Sequence, residues 1–362
     1  VNIDNTDSTH SVTVSVDNGD VLINGQIVDV GGGAHLHAAD VTELHVTDTA
    51  NTDNAIDLHG VDSHFTSLTS ITVDAGGGND TITAAMFAET LNGGAGNDTY
   101  VFLDGFGATT VIDQAGDTNT LDFSAVTTNV HADLNAGTIT VGASSVDFTN
   151  INSLIGGTGN DTFDVNADIG SLSIDGGIGT DTIHVTSDIM LTGDDSVSFA
   201  AETIDIGAIN MSSADGHQTY TGNLVLNGST LSATGNGEIQ LGGDLTVIGT
   251  LASTIEGQLV LIGSDHVINV DDVAGNLTVN ATVDGSFALT LDGPGSTLFS
   301  GIIGGNVELT SITQNDGNVE FNENVNVSGG ATFNSNVTLD GMTFTSGGPV
   351  TFGDSATDSL SI

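Results

Sequence analysis

The chain of 362 residues is predicted to be all-β, a parallel β-roll or β-helix solenoid entered through a small antiparallel N-terminal meander. Three observations lead there. A glycine-rich turn, an Asp in sixth place and a short strand recur four times, as AGGGNDTIT (75–83), GGAGNDTYVF (93–102), GGTGNDTFDV (156–165) and GGIGTDTIHV (176–185), the nonapeptide pattern of a β-solenoid. Apolar triplets recur at a fixed interval in the second half. The composition, with 50 Gly, two Pro and abundant Val, Ile and Thr, suits short strands joined by tight turns.

Residues 1–73 form the first segment. Val12, Val14 and Val16 alternate with polar residues, and Asn18-Gly19 and Asn24-Gly25 supply the positive φ of two-residue hairpin turns. Residues 41–61 read as a degenerate coil, with Asn54-Ala55-Ile56 where a motif has Asp-Thr-Ile. Residues 74–190 carry the four motifs. Asp80 and Asp98 stand two nonapeptide units apart and should share one corner of successive coils. Asp161 and Asp181, at two units with a two-residue insertion, should stack likewise. Between them GATTVID (107–113) and GDTNTLDFS (116–124) keep the motif's outline but put Thr109 and Asn119 where the carboxylate belongs. Residues 191–362 change rhythm. LVL (259–261), LTL (289–291) and VEF (319–321) recur at one interval, and LTV (277–279), VEL (307–309) and VTL (337–339) keep the same interval. This predicts a solenoid whose units bury their apolar faces only by stacking, and leaves a coil of about 20 or about 30 residues open.

There is no Lys or Arg against 47 Asp plus Glu. Phosphate recognition rests on cationic side chains, so nucleic acid is excluded as a partner, and anionic membrane surfaces are disfavoured. No apolar run of about 18 residues predicts membrane insertion. Without Cys no disulfide can staple the fold, which leaves metal ions as the available staple. No signal peptide is visible, and Val1 and Ile362 both stand in strand-like patterns, as expected for a mature protein or a piece of a longer one.

Coils stacked about 4.8 Å apart bring ionised Asp side chains on one corner into repulsion of roughly 1 kcal/mol even in water. Such a ladder calls for a cation. Calcium takes six to eight oxygens in flexible geometry, and glycine turns expose carbonyls. The expected ligands are the carboxylates of Asp80, Asp98, Asp161 and Asp181 and the carbonyls of Gly76, Gly78, Gly94, Gly96, Gly157, Gly159, Gly177 and Gly179. Asn79, Asn97 and Asn160 are expected to shape the turns. The bland alternative is that Gly-Asn-Asp is merely good turn chemistry. Histidine clusters near the N-terminus, as His10, His35, His37, His45, His59 and His64, and His35 and His37 would face one side of a strand. That could begin a zinc or copper site, or be a row of exposed polar side chains.

These motifs resemble those of the repeats-in-toxin (RTX) family of bacterial calcium-binding β-rolls. NGGAGNDTYVF followed by GFG, VID and TLDFS (92–124) looks like the closing repeat of large RTX surface proteins and adhesins. The resemblance covers roughly residues 41–190 and implies secretion, calcium-dependent folding and a parallel roll. The chain departs from the pattern in having four motifs, in an interrupted run, with Ala75 and Thr180 in place of Gly and Asn. The C-terminal half looks more loosely like the coils of filamentous-haemagglutinin-type surface fibres.

No metalloprotease, nucleophile-elbow or phosphate-loop motif is present. Without Lys or Arg nothing obvious neutralises an acidic sugar or acts as a lyase base. The expectation is therefore a non-enzymatic, extracellular, calcium-stabilised β-solenoid at the bacterial cell surface, serving as a rod in an adhesin, matrix fibre or filament. Its expected partners are calcium ions and either head-to-tail copies of itself or further repeats in a larger chain. A module binding a glycan or surface receptor is the alternative, and a β-helix enzyme acting on polysaccharide is a more distant one.

Overall fold

A computed structural model describes residues 1–4, 10–114, 118–167, 170–353 and 360–361. Ile362 and the Gly116 that heads the second degenerate motif lie outside the described residues. The chain is an all-β solenoid of about 13 turns with a few antiparallel strands near its N-terminus. It divides into two compact units, one of residues Val1–Phe163 with Ile174–Asp181, the other of Asp164–Ser173 with Thr182–Ile362.

The first unit has two columns of parallel strands. One stacks Ser11–Asp17, Ala55–Asp57, Thr81–Thr83, Thr99–Leu103, Thr120–Ala125 and Ser153–Ile155. Strand side chains alternate between faces, so each rung points one or two residues inward. Val12, Ile56, Ile82, Tyr100, Leu121 and Leu154 form a single in-register row, all buried. The other column stacks Asn2–Asp4, Glu43–Thr47, Ser70–Asp74, Glu89–Asn92, Ala108–Ile112 and Ser144–Thr149, with Ile3, Val46, Val73, Leu91, Val111 and Phe148 in register. All of these but the half-buried Phe148 are enclosed, and each such burial contributes about 1.5–3 kcal/mol, supplied by the neighbouring coils.

The N-terminal meander pairs Ser11–Asp17, Asp20–Ile23 and Gln26–Ile27 antiparallel. Asn18, Gly19, Asn24 and Gly25 all have positive φ, as two-residue hairpins require. Asn2–Asp4 and the start of Ser11–Asp17 already stack on the solenoid, so the first rung of both columns lies within residues 1–14. A second antiparallel element interrupts the roll. Val130–Asp133, Thr138–Val141 and Ser144–Thr149 double back on one another before the last of them rejoins the column on Ala108–Ile112.

The second unit has three columns. Met211, Leu231, Ile255, Val279, Phe299, Phe321 and Leu339 stack in one of them. The step from one member of this row to the next is the coil, and it is the shorter of the two lengths the sequence left open. The rhythm of the apolar triplets is therefore not the coil. Leu259 stacks between Ile239 and Val283, Leu289 between His266 and Ile312, and Val319 between Thr297 and Val337. The three triplets occupy three different columns, because the interval between them advances the chain by one coil and roughly one face. Gly257, at φ 107° inside Ser253–Leu261, turns the chain between two faces without ending the strand. Phe299 and Phe321 stack at 5.3 Å between ring centres, nearly parallel.

Candidate cation-binding corners

The glycine motifs form corners between columns. At the corner leading into Thr81–Thr83 and Thr99–Leu103, Asp80 Oδ1 accepts the Asn54 N–H at 2.7 Å and Asp98 Oδ1 accepts the Asp80 N–H at 2.7 Å. Asn119 Oδ1 then accepts the Asp98 N–H at 2.9 Å, and Asn152 Oδ1 the Asn119 N–H at 2.9 Å. Each side chain thus holds the backbone of the preceding coil. The residue before it works in the opposite sense. Asp53, Asn79 and Asn97 accept the N–H groups of Asn79, Asn97 and Thr118 in the following coils. Two oppositely directed ladders stitch the corner.

Asp161 and Asp181 form the second stack expected from their spacing. Asp161 Oδ1 accepts the Val130 N–H at 2.7 Å and Asp181 Oδ1 the Asp161 N–H at 2.8 Å, while Asn129 and Asn160 accept from Asn160 and Thr180. This stack stands on the other corner. Residues 156–161 follow Ser153–Ile155 and pack on the turn at 126–129, whereas residues 93–98 precede the matching strand of the earlier coil. The antiparallel insert of residues 130–149 separates the two stacks.

The glycines permit this closeness. Gly94 and Gly96, at φ 101° and 124°, pass directly over the carbonyl oxygens of Gly76 and Gly78, and a Cβ on either would collide with them. Gly177 and Gly179 lie over the carbonyls of Gly157 and Gly159 in the same way. These carbonyls run along the stack. Those of Gly76 and Gly157 each accept one inter-coil N–H, from Ala95 at 3.1 Å and Ile178 at 2.9 Å, and a carbonyl oxygen has two lone pairs. Gly93 has a separate role, since the Asp98 carboxylate folds back against its α-carbon.

All four motif aspartates are buried. Burial pushes the Asp80 carboxyl up to about 6, opposed by the Asn54 hydrogen bonds and reinforced by the charges of Asp53 and Asp48. Burial also raises Asp161, against the N–H groups of Val130 and Gly157. Asp80 Oδ2 is enclosed without a hydrogen-bond partner, and so is Oδ2 of Asp48. Among the described residues no three His, Asp or Glu side chains converge as a metal site. A cation at these corners would therefore take its shell from one or two carboxylates and from backbone carbonyls. The residues present fit a hard ion on that basis, because enclosed carboxylate oxygens, stacked carbonyls and a total absence of Lys and Arg occur together.

Three positions differ from expectation or escaped it. Thr109 is not in the carboxylate ladder. It stands inside Ala108–Ile112 opposite Glu89 and donates its hydroxyl to Glu89 Oε1 at 3.1 Å, because a five-residue strand occupies the stretch where a corner was expected. Glu89, 5% exposed, also accepts the Ala85 N–H, and burial pushes its carboxyl up to about 8. Asp48, 2% exposed, belongs to the degenerate coil, and its Oδ1 accepts the Ala50 N–H at 2.6 Å. Neither acid stands in a glycine motif, so only the strand register picks them out. His35 and His37 do share a face, each placing Nδ1 2.7 Å from one oxygen of Asp20. The His35 hydrogen bond is the main cause holding the Asp20 carboxyl below its usual range.

No protein-family model and no curated protein matches the chain. The RTX resemblance accordingly rests on the four motifs.

Proposed function

We propose that the protein is an extracellular, calcium-stabilised structural rod, part of a bacterial surface adhesin, matrix fibre or filament, and not a catalyst. The observation that carries this reading is the stacking of buried carboxylates on glycine corners in a chain without a single Lys or Arg. A buried carboxylate costs several kcal/mol unless its charge is removed by protonation or neutralised by a partner. Calcium supplies that neutralisation, with Asp80, Asp98, Asp161 and Asp181 as carboxylate ligands and the corner glycine carbonyls completing the shell. RTX-like motifs favour the same ion and a secreted setting. The rod would join copies of itself head to tail or continue into more repeats, since the terminal strands of a solenoid leave edges able to pair.

Calcium titration with chelator reversal, followed by circular dichroism, tests the ion. Secondary structure and melting temperature should rise with calcium and fall again with chelator, and a chain indifferent to both would overturn the reading. Electron microscopy of the same samples tests assembly. A glycan- or receptor-binding role is favoured by one feature. A groove of ≈ 570 Å³ on the outer face of the second unit is lined by Asn276, Ser296, Asn318 and Asn336 on successive rungs, whose amides and hydroxyl suit neutral hydroxylated ligands. Retention of the protein on immobilised neutral glycans would support that role.

A further inference from the structure

The geometry points to a cation site outside the glycine motifs, in which Asp48 and Asp80, on adjacent coils, hold one hard divalent ion between them. This rests on the calcium reading and extends it to a coil that has lost the motif. Four observations carry it. Thr47 is in register with Asp74, which places Asp48 beside Ala75, the first residue of the turn that ends at Asp80. Both acids are enclosed, at 2% and 1% exposure. Each spends Oδ1 on a backbone N–H, of Ala50 and Asn54 respectively, and each has an enclosed Oδ2 with no hydrogen-bond partner. Backbone oxygen is at hand, because the Gly76 α-carbon packs on the carbonyls of Asp48 and Ala50.

The ligand class follows from the donors. Two carboxylates and amide carbonyls are hard oxygen ligands that suit calcium over a thiophilic or imidazole-seeking metal. Asp53 also contributes negative charge here, but it is exposed and its Oδ1 is used by the Asn79 N–H, so it acts from a distance. At the equivalent of Asp80 the degenerate coil carries Asn54, whose amide donates to the carbonyls of Thr52 and Ala75. The coil that lacks the motif carboxylate thus offers one from the opposite end of its turn.

The test is calcium stoichiometry on the full chain by equilibrium dialysis, comparing wild type with Asp48→Asn, Asp53→Asn and Asp98→Asn. Asn at position 48 keeps the Oδ1 acceptor for Ala50, so the turn is preserved, and circular dichroism checks this. Asp48→Asn should lose one ion, or weaken one by about tenfold or more. Amide exchange in residues 43–57 at saturating calcium should then quicken to the rate seen in chelator, while Asp53→Asn should leave both unchanged. Wild-type stoichiometry and exchange in Asp48→Asn, with an ion lost in Asp98→Asn, would overturn the site and leave the calcium reading standing. A wild-type chain that binds no calcium would overturn both.

Discussion

On the calcium reading the Asp98 carboxylate would serve two ends, and substitutions can separate them. Its Oδ1 satisfies the buried Asp80 N–H, so Asp98→Ala should cost about 1–3 kcal/mol in urea unfolding even in chelator. Asp98→Asn should be neutral to stabilising in chelator, because Asn119 performs the same hydrogen bond naturally one coil on and the amide carries no buried charge. It should, however, lose much of the stabilisation that calcium would confer on wild type. Equal calcium responses in Asp98→Asn and wild type would remove Asp98 from the ligand set. Glu89 gives a prediction in pH. Its folded-state carboxyl is raised from 4.5 to about 8, so the folded chain binds this proton more tightly than the unfolded one. The stability it contributes is full below about pH 4.5 and is lost as pH rises through about 8. Glu89→Gln keeps an acceptor for Ala85 and Thr109 and should match wild type at pH 4. At pH 8 it should exceed wild type by up to a few kcal/mol, read from urea midpoints across that range.

At the scale of elements, the corner sets the spacing of the strands it joins. Gly96→Ala would need a left-handed conformation and would drive a methyl into the Gly78 carbonyl. It should destabilise the first unit by more than about 1 kcal/mol, and thermal melts should show it with or without calcium. Phe321 is fully buried between Phe299 and Phe333, and Phe321→Ala should cost about 3–5 kcal/mol. What the sequence allowed to be read here follows from what each signal reports. Val12, Val14 and the Asn-Gly pairs report local backbone, and the hairpins stand where those residues put them. The spacings within the two Asp pairs report stacking directly, since one residue type recurs at one corner. The apolar triplets report only that a strand is half-buried, so they could not distinguish three faces of one coil from one face of successive coils. Asp48 and Glu89 were invisible because their burial comes from neighbours about a coil away, and the opposite placement of the two Asp stacks depends on the fold of residues 130–149.

For the whole molecule, the formal charge of −47 acts on every rung. Self-repulsion of this size destabilises compact states and is screened by salt. Stability should therefore rise between low and physiological ionic strength, with calcium acting at far lower concentration than sodium. Because a solenoid's stability is a sum over neighbouring coils, melting should depart from two-state behaviour. Calcium should shift the transition of the first unit, which holds both Asp stacks, more than that of the second. Scanning calorimetry in calcium and in chelator separates the two. A single transition moving as a whole would show that the coils act as one cooperative block.

The doubled-back segment of residues 130–149 has a consequence for how the chain folds. Elsewhere a coil closes on its neighbour over a short stretch of sequence, as Asp98 does on Asp80. Across this segment Asn119 must find Asn152, 33 residues away, and Ala108 must find Ser145 over a comparable stretch. Loop-closure entropy grows only with the logarithm of length, so the longer search adds ~0.5 kcal/mol, about a twofold slowing of that step. A protein assembled one neighbour at a time can thus accept an extra hairpin between rungs at almost no kinetic penalty, and resume stacking on the far side with its motif moved to the other corner.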